Sequence, residues 1–89
     1  MEQVSRLQVF LAVAKTQSFS KAGKELGISA PAVSKHIQAL EERLSVKLFN
    51  RTTRLVNLTE EGALYADRIS KVVEDLEEAE NELHDLKAC

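Results

Sequence analysis

The sequence contains no tryptophan, three phenylalanines and one tyrosine, so aromatic residues make up only 4% of its 89 residues. A core built from this chain must therefore be mostly aliphatic. One proline and three glycines leave long stretches that no helix-breaking residue interrupts, which favours a mainly α-helical fold. At this length we expect a single small domain.

Cysteine occurs once, at Cys89, and therefore cannot form a disulfide within the chain. A single free thiol is typical of a reducing compartment. No apolar run approaches the ~18 residues that a membrane-spanning helix needs. The first residues also do not place an apolar stretch after a cationic one, as a signal peptide does. We therefore expect a soluble, cytoplasmic protein without a membrane partner.

The sequence features of an enzyme are missing as well. The chain has no glycine-rich phosphate loop, and it shows no nucleophile paired with a base. Its two histidines, His36 and His84, lie far apart, and together with Cys89 they do not have the spacing of a metal site. We therefore predict a protein that is not an enzyme, with no catalytic residues, no metal site and no cofactor.

Charge, by contrast, is abundant and unevenly distributed. The formal net charge is −2, but residues 1–58 hold nine lysines and arginines against four acids, a balance of +5. Residues 59–89 hold three basic residues against ten acids, a balance of −7. Such an asymmetry indicates a polyanionic partner for the basic part of the chain.

Apolar spacing predicts a first helix over residues 4–15 with two apolar stripes. The stripe expected to face the core consists of Val4, Leu7, Phe10, Leu11 and Ala14. Val9 and Val13 lie roughly opposite and form a second, narrower stripe. We predict that these two valines contact a different partner, either the C-terminal helix or a second chain, and we include them among the dimerisation residues.

Two short helices around a tight turn are predicted next. Ser20 is expected to cap a helix over residues 21–26, which Gly27 ends in the left-handed conformation. Ser29 is expected to cap the following helix after a gap of about three residues, as a helix-turn-helix requires. Gly23 is expected to let the two helices cross closely, which would compensate for the roughly 1 kcal/mol that glycine costs inside a helix.

The third helix has two faces of different chemistry. Its apolar positions recur at helical spacing and are Val33, Ile37, Leu40 and Leu44. Its opposite face carries Pro31, Ser34, Lys35 and Gln38. A helix with a buried stripe and a small, hydrogen-bonding, mildly basic face suits the major groove of DNA, where base edges present donors and acceptors.

After the third helix, short alternating runs predict a two-stranded hairpin over about 48–58, with its turn near Thr52 and Thr53. Arg51 and Arg54 flank this turn. An arginine on a projecting turn suits the minor groove or a phosphate. The hairpin and the third helix together make DNA recognition the leading hypothesis.

Thr59 is predicted to cap a last helix that carries a heptad pattern. The heptad positions are Ile69, Val72, Leu76, Ala79, Leu83 and Leu86. Such a row needs a helical partner, so we predict a homodimer through this helix. Asp75, Glu80 and Glu82 flank the row with one sign of charge, which disfavours a simple parallel pair. An antiparallel pair, or packing against the second stripe of a neighbour's first helix, fits better.

These motifs resemble the DNA-binding domain of LysR-type transcriptional regulators over nearly all of residues 4–62. The letters ISAPAVSKHIQALEERL carry the resemblance through the third helix, and LFNRTTRLVNLTEEG carries it through the hairpin. The resemblance implies a mainly α fold. That fold is a winged helix-turn-helix of three helices plus a short two-stranded wing, followed by a long linker helix that pairs with a second subunit.

The same resemblance implies a division of the chain. Residues 1–58 would form the winged helix-turn-helix domain, with the helix-turn-helix at about 19–38 and the wing at about 48–58. Residues 59–89 would form the linker dimerisation helix. Family members also have a C-terminal effector-binding domain, which this chain lacks, so we expect no small-molecule effector site here.

The resemblance further implies roles for single positions. Around the third helix, the positions that match DNA-contacting ones are Ser29, Ala30, Pro31, Ser34, Lys35 and Gln38. In the wing, Arg51 and Thr52 match positions that contact the DNA backbone. Arg54 matches the arginine that the family places in the adjacent minor groove.

Three positions depart from the family pattern. Ala30 stands where the family often has glutamine, so one base-reading amide is missing. Lys35 stands where arginine is common, which replaces a planar two-pronged donor by a point charge. Ser45 stands where glycine is frequent, which alters how the third helix ends. The first two departures leave the sequence of the DNA site open.

Taken together, we expect sequence-specific binding of double-stranded DNA by a bacterial, nucleoid-associated protein. A dimer would bind a partly palindromic operator, with the recognition helix in the major groove and the wing in the minor groove. A full-length parent would form a tetramer. Two alternatives stay open: a winged helix that contacts an acidic protein partner, and a chain that serves mainly to dimerise through its last helix.

Overall fold

The computed structural model describes residues 2–51 and 56–88, which form four helices and one two-stranded antiparallel sheet. The elements in chain order are α1 (Glu2–Thr16), α2 (Phe19–Leu26), α3 (Ala30–Leu44), β1 (Phe49–Arg51), β2 (Val56–Leu58) and α4 (Glu60–Ala88). In the sheet, Phe49 pairs with Leu58 and Arg51 pairs with Val56. The predicted fold is confirmed: it is a winged helix-turn-helix with a long C-terminal helix, and α1 is longer than predicted at both ends.

The start of α2 differs from the prediction. Ser18 accepts a hydrogen bond from the backbone N–H of Lys21 at 3.2 Å, so the helix begins at Phe19 and the predicted cap at Ser20 is wrong. Both serines have the side chain of a cap residue. Only Ser18 has the extended backbone that a cap needs (φ −154°, ψ 127°), because Phe19 packs against the core as the first helical residue.

The turn between α2 and α3 follows the prediction. Gly27 ends α2 with a φ of 74°, and Ser29 caps α3. Gly23 lies where α2 meets this turn. A Cβ atom there would lie 2.5 Å from the carbonyl oxygen of Ile28 and 3.5 Å from the side chain of Val33. The predicted close approach at Gly23 is therefore confirmed.

The core is mostly aliphatic, but it is organised around the ring of Phe10. This ring lies 5.3 Å from that of Phe49 and 5.5 Å from that of Tyr65, in tilted arrangements that aromatic pairs favour. Three elements, α1, β1 and α4, therefore meet at one side chain. The largest fully buried side chains are Phe10, Val13, Val33, Ile37, Leu40 and Leu48.

Both valines of the second α1 stripe lie inside this core. Val9 is 4% exposed and Val13 is 0% exposed, so their predicted place among the dimerisation residues is wrong. The other predicted partner, the C-terminal helix of the same chain, does pack on α1. The physical reason is that α1 contacts α2, α3 and α4, and the two valines belong to the core that these helices share. Ile69 is 6% exposed and packs on the same core. Its predicted place in a dimer contact is therefore wrong as well.

The first turn of α4 is fixed to the segment before the wing. The Thr59 hydroxyl accepts from the N–H of Gly62 at 3.0 Å, which confirms the predicted cap, and it donates to the carbonyl of Lys47 at 2.6 Å. The first part of α4 then packs on the core, whereas residues 74–87 are exposed apart from the half-buried Leu76. The 29 residues of α4 give the molecule its longest dimension of 51 Å.

Among the residues that the structure describes, no helix is both long enough and apolar enough to span a bilayer. The same residues include no cluster of three or more side chains suited to holding a metal ion.

Candidate nucleic-acid interface

The predicted separation of α3 into two faces is confirmed. Val33, Ile37 and Leu40 are fully buried against the other helices. The opposite face presents the exposed side chains of Pro31, Lys35 and Gln38, with Ala30 and Ser34 half-buried beside them. Because one face anchors the helix and the other is open, α3 can be laid against a second molecule without disturbing the core.

The N-terminal end of α3 favours a negatively charged ligand. Its first turn consists of uncharged residues, and the start of a helix carries partial positive charge from the helix dipole. Ser29, a predicted DNA contact, uses its hydroxyl oxygen to accept from the N–H of Ala32 at 3.2 Å. The hydroxyl proton remains available for donation.

A second cation, Arg6, lines the same groove as Lys35. A shallow groove of ≈ 260 Å³ between α1 and α3 is lined by Arg6, Ala32, Lys35, His36 and Ala39. His36 is half-buried. Arg6 was not among the predicted site residues, because its neighbourhood with Lys35 arises from the packing of α1 on α3 and leaves no local sequence signal.

The wing is attached to α3 by the carboxylate of Glu41. Its Oε2 atom accepts from the backbone N–H groups of Leu48, at 2.8 Å, and Phe49, at 3.3 Å. These are the residue before β1 and the first residue of β1. The start of the wing is therefore held by two hydrogen bonds to the charged end of an α3 side chain, and such charge-assisted bonds are the stronger kind.

Arg51, at the end of β1, has two partners within the chain. Its Nη2 atom lies 3.7 Å from Oε1 of Glu41. Its guanidinium carbon lies 4.9 Å from the centre of the Phe19 ring, within the range of a cation–π contact. A third of the Arg51 side chain stays exposed, and its DNA contact stays a prediction. Thr52 and Arg54, the other predicted wing residues, lie outside the described residues.

Sequence reasoning missed both partners of Arg51. Glu41 follows the buried Leu40, and in the sequence it resembles the other charged residues of this helix, which normally indicate a solvated face. No role is predicted for Phe19. The one available signal was an acid at the border of the apolar stripe in an otherwise basic part of the chain. That signal does not reveal which backbone groups the carboxylate reaches.

The chain has the sequence and the fold of a known family. Residues 4–63 match the family of bacterial regulatory helix-turn-helix proteins called the lysR family. The chain belongs to this family. It is 43% identical over 84 residues to YcaN of Escherichia coli K12, an uncharacterized HTH-type transcriptional regulator, covering 94% of this chain and 28% of YcaN. It is 44% identical over 77 residues to CrgA of Neisseria meningitidis, an HTH-type transcriptional regulator, covering 86% of this chain and 26% of CrgA.

A solved lysR-type structure extends the likeness to three dimensions. The protein chain in the crystal structure of the BenM_DBD/benA site 1 DNA complex superposes with a TM-score of 0.87 and 32% identity, covering 93% of this chain and 93% of that one. The chain thus spans nearly all of that solved domain but only about a quarter of the length of YcaN and CrgA.

In this lysR-family chain, the remaining heptad residues of α4 differ in exposure. Val72, Ala79, Leu83 and Leu86 are exposed, and Leu76 is half-buried. Leu83 and Leu86 are 66% and 75% exposed. We call these five residues the α4 row. Large apolar side chains aligned on a projecting helix are typical of a surface that a partner covers.

Proposed function

We propose that this chain is the DNA-binding part of a bacterial transcriptional regulator and that it binds a partly palindromic site in double-stranded DNA as a dimer. The observation that carries the proposal is the two-faced α3, which buries three apolar residues and presents an open, mildly basic face. A helix of this kind fits the major groove, which carries the more informative pattern of donors and acceptors. The proposed role is binding, not catalysis.

The proposal assigns separate tasks to α3 and the wing. Lys35, Ser34 and Gln38 would contact bases and phosphates from the major groove, and Arg54 would enter the adjacent minor groove from the wing. The DNA complex formed by BenM supports this assignment by analogy of fold. The charge balance of +5 over residues 1–58 adds a general attraction to phosphates.

Dimerisation would use the α4 row. Two copies paired through this row would hold two recognition helices at a fixed separation, as a two-fold symmetric site requires. With Val9 and Val13 buried, packing of the row on a neighbour's α1 loses its support, so an antiparallel pair of α4 helices is the arrangement we propose. A full-length parent with a C-terminal effector-binding domain would assemble further, into a tetramer.

The proposed boundary between DNA-binding domain and dimerisation helix falls at residue 58. The first part of α4 contributes Tyr65 and Ile69 to the core, so we propose that the domain needs these turns in order to fold. The dimerisation task would then belong to the later, exposed part of the helix.

In vitro selection of bound duplexes from a random library tests the proposal. The selected duplex and a scrambled duplex of equal length are then titrated by fluorescence anisotropy over a range of salt concentrations. We expect a clear preference for the selected duplex and a steep loss of affinity with salt, because released counterions drive the phosphate contacts.

The same titration separates the alternatives. Equal affinity for the selected and the scrambled duplex would contradict sequence-specific recognition and would favour the winged helix as a contact for an acidic protein. A half-site duplex provides the control for dimerisation. If the half-site is bound as tightly as the full site, the proposed dimer on DNA is wrong.

A further inference from the structure

Glu41 is an acid on the side of α3 that we propose to meet DNA. It follows Gln38 by three residues, and residues at this spacing lie on neighbouring turns of the same helix face. The two residues line one open groove of ≈ 460 Å³ together with Glu42, Ser45, Val46 and Lys47. A carboxylate at this position repels phosphates, so it is unfavourable for DNA binding by itself.

The Glu41 side chain is mostly buried and has several partners. Only 11% of the Glu41 side chain is exposed. A mostly buried acidic side chain is unfavourable unless partners compensate its charge. Its partners are the N–H groups of Leu48 and Phe49 on one oxygen and the guanidinium of Arg51 beside the other. All three belong to the wing or to the residue directly before it.

These partners also fix the position of the wing relative to α3. Leu48 and Phe49 define where the wing starts, and Arg51 lies two residues further along the same strand. The guanidinium of Arg51 contacts both Glu41 of α3 and the ring of Phe19 at the start of α2. The wing strand is thus connected to α3 by two hydrogen bonds and an ion pair, and to α2 by the contact of Arg51 with the Phe19 ring. The two hydrogen bonds restrict direction more than apolar packing does.

We propose that Glu41 is a positioning residue: through its hydrogen bonds to the start of the wing, and through Arg51, which also contacts Phe19, it sets the place of the wing relative to the recognition helix. DNA affinity depends on Glu41 although its charge opposes DNA. This inference rests on the proposed function. It assigns Arg51 mainly to holding the wing and leaves the minor-groove contact to Arg54.

The test uses Glu41→Gln, which keeps the volume of the side chain and removes its negative charge. Electrostatics alone predicts tighter DNA binding for this variant. Loss of wing placement predicts weaker binding to the selected duplex, by about tenfold. Glu42→Gln is the matched control, because Glu42 is exposed on the same turn and the charge change is identical. It should bind as tightly as the unmodified chain or slightly more tightly.

Two further measurements separate positioning from a general loss of stability. In the free protein, the amide proton resonances of Leu48 and Phe49 should move upfield in Glu41→Gln, while those of α1 stay in place, because the charge-assisted bonds weaken. The double variant Glu41→Gln/Arg51→Gln should bind no more weakly than the weaker single variant, because residues that act as one unit are not additive.

Phe19→Leu provides a second variant if Glu41→Gln proves too unstable to titrate. It retains an apolar side chain for the core and removes the ring beneath the guanidinium. We expect a loss of about two- to fivefold in affinity for the selected duplex.

The outcomes are distinguishable. If the unmodified chain prefers the selected duplex and Glu41→Gln binds like Glu42→Gln, the positioning role is overturned and the proposed function stands. Additive losses from Glu41→Gln and Arg51→Gln would also overturn it, because Arg51 would then act on DNA by itself. If the unmodified chain shows no preference, the proposed function and this inference fail together.

Discussion

Gly62, in the first turn of α4, packs directly against the carbonyl oxygen of Leu48, the residue before the wing. The same carbonyl accepts from the N–H of Thr59 at 2.9 Å, and the N–H of Leu48 donates to Glu41 of α3. The backbone of one residue therefore connects the recognition helix, the wing and the C-terminal helix. The close approach at Gly62 leaves no room for a side chain.

Gly62→Ala is expected to destabilise the protein despite the better helix propensity of alanine. A Cβ atom at this position would collide with backbone that is fixed on both sides, so α4 or the wing must shift. Overpacking of this kind costs about 1 to 3 kcal/mol. Because the collision is with backbone and not with a flexible side chain, we expect a cost near the upper end of this range, which exceeds the roughly 1 kcal/mol gained in propensity. Urea denaturation followed by circular dichroism measures the free energy of unfolding.

Gly27→Asn is the control for this substitution. Gly27 has a φ of 74°, which asparagine tolerates, and it has open space where a Cβ would stand. The free energy of unfolding of Gly27→Asn should fall by less than about 1 kcal/mol. If Gly62→Ala is as stable as the unmodified chain, the contact with Leu48 does not constrain how the wing and α4 pack against each other.

The cap of α2 can be tested by comparing two serines. Ser18→Ala removes the oxygen that accepts from Lys21 and should lower the free energy of unfolding by about 1 kcal/mol. Ser20→Ala, two residues later in the exposed first turn, should change it by less than about 0.5 kcal/mol. Thermal unfolding of both variants decides between the two caps, and a larger loss for Ser20→Ala would restore the cap predicted from the sequence.

Ser45 adopts a left-handed conformation at the end of α3, with φ 58° and ψ 34°. A residue with a side chain is strained in this region, whereas glycine is not. We expect Ser45→Gly to raise the free energy of unfolding by about 1 kcal/mol. For a domain of this size, that gain corresponds to an increase of about 4 to 8 °C in Tm.

Ser20→Gly is the matched control for Ser45→Gly. It introduces the same change at an exposed, right-handed helical position, and it should lower the free energy of unfolding by about 0.5 kcal/mol. Equal effects at the two positions would show that the strain at Ser45 is negligible.

How much the sequence predicted depends on whether the cause of a feature is local. The caps at Ser29 and Thr59, the left-handed Gly27 and the two faces of α3 follow from neighbouring residues, and all were predicted correctly. At the start of α2, two serines met the same local rule. The packing of Phe19, which is a tertiary contact, decided in favour of Ser18.

Features that depend on distant contacts were not predicted. Val9 and Val13 look like a second apolar surface in an isolated helix, but α1 contacts three other helices, and the two valines belong to the core that these helices share. Glu41 and Arg51 are ordinary charges in the sequence, and only the folded wing brings them together. For the proposed site, the residue types on α3 could thus be predicted, whereas the contacts that position the wing could not.

Lys35→Ala is expected to weaken recognition of DNA. Lys35 is exposed on the open face of α3, and a good contact to a base edge contributes about 1 to 3 kcal/mol of discrimination against the wrong base. We expect the ratio of the affinities for the selected and the scrambled duplex to fall. We also expect the slope of log affinity against log salt concentration to become shallower by about one, which corresponds to one released ion. Fluorescence anisotropy at several salt concentrations measures both quantities.

Arg43→Ala removes the same charge from the last turn of α3 and is the control for Lys35→Ala. Because we interpret Arg43 as a solvated helix charge, its loss should leave the ratio of affinities unchanged. An unchanged ratio for Lys35→Ala itself would remove Lys35 from base recognition.

The α4 row is expected to be the contact between the two chains of the proposed dimer. Leu83 is 66% exposed in the single chain, so Leu83→Glu should leave the fold intact and disrupt only a contact with a second chain. Asn81→Glu adds the same charge two residues earlier, outside the heptad positions, and should have no effect on association. Sedimentation equilibrium should show a dimer for the unmodified chain and for Asn81→Glu, and a monomer for Leu83→Glu. Since a buried carboxylate without a partner is costly, a Leu83→Glu variant that still dimerises would show that the interface lies elsewhere on the chain.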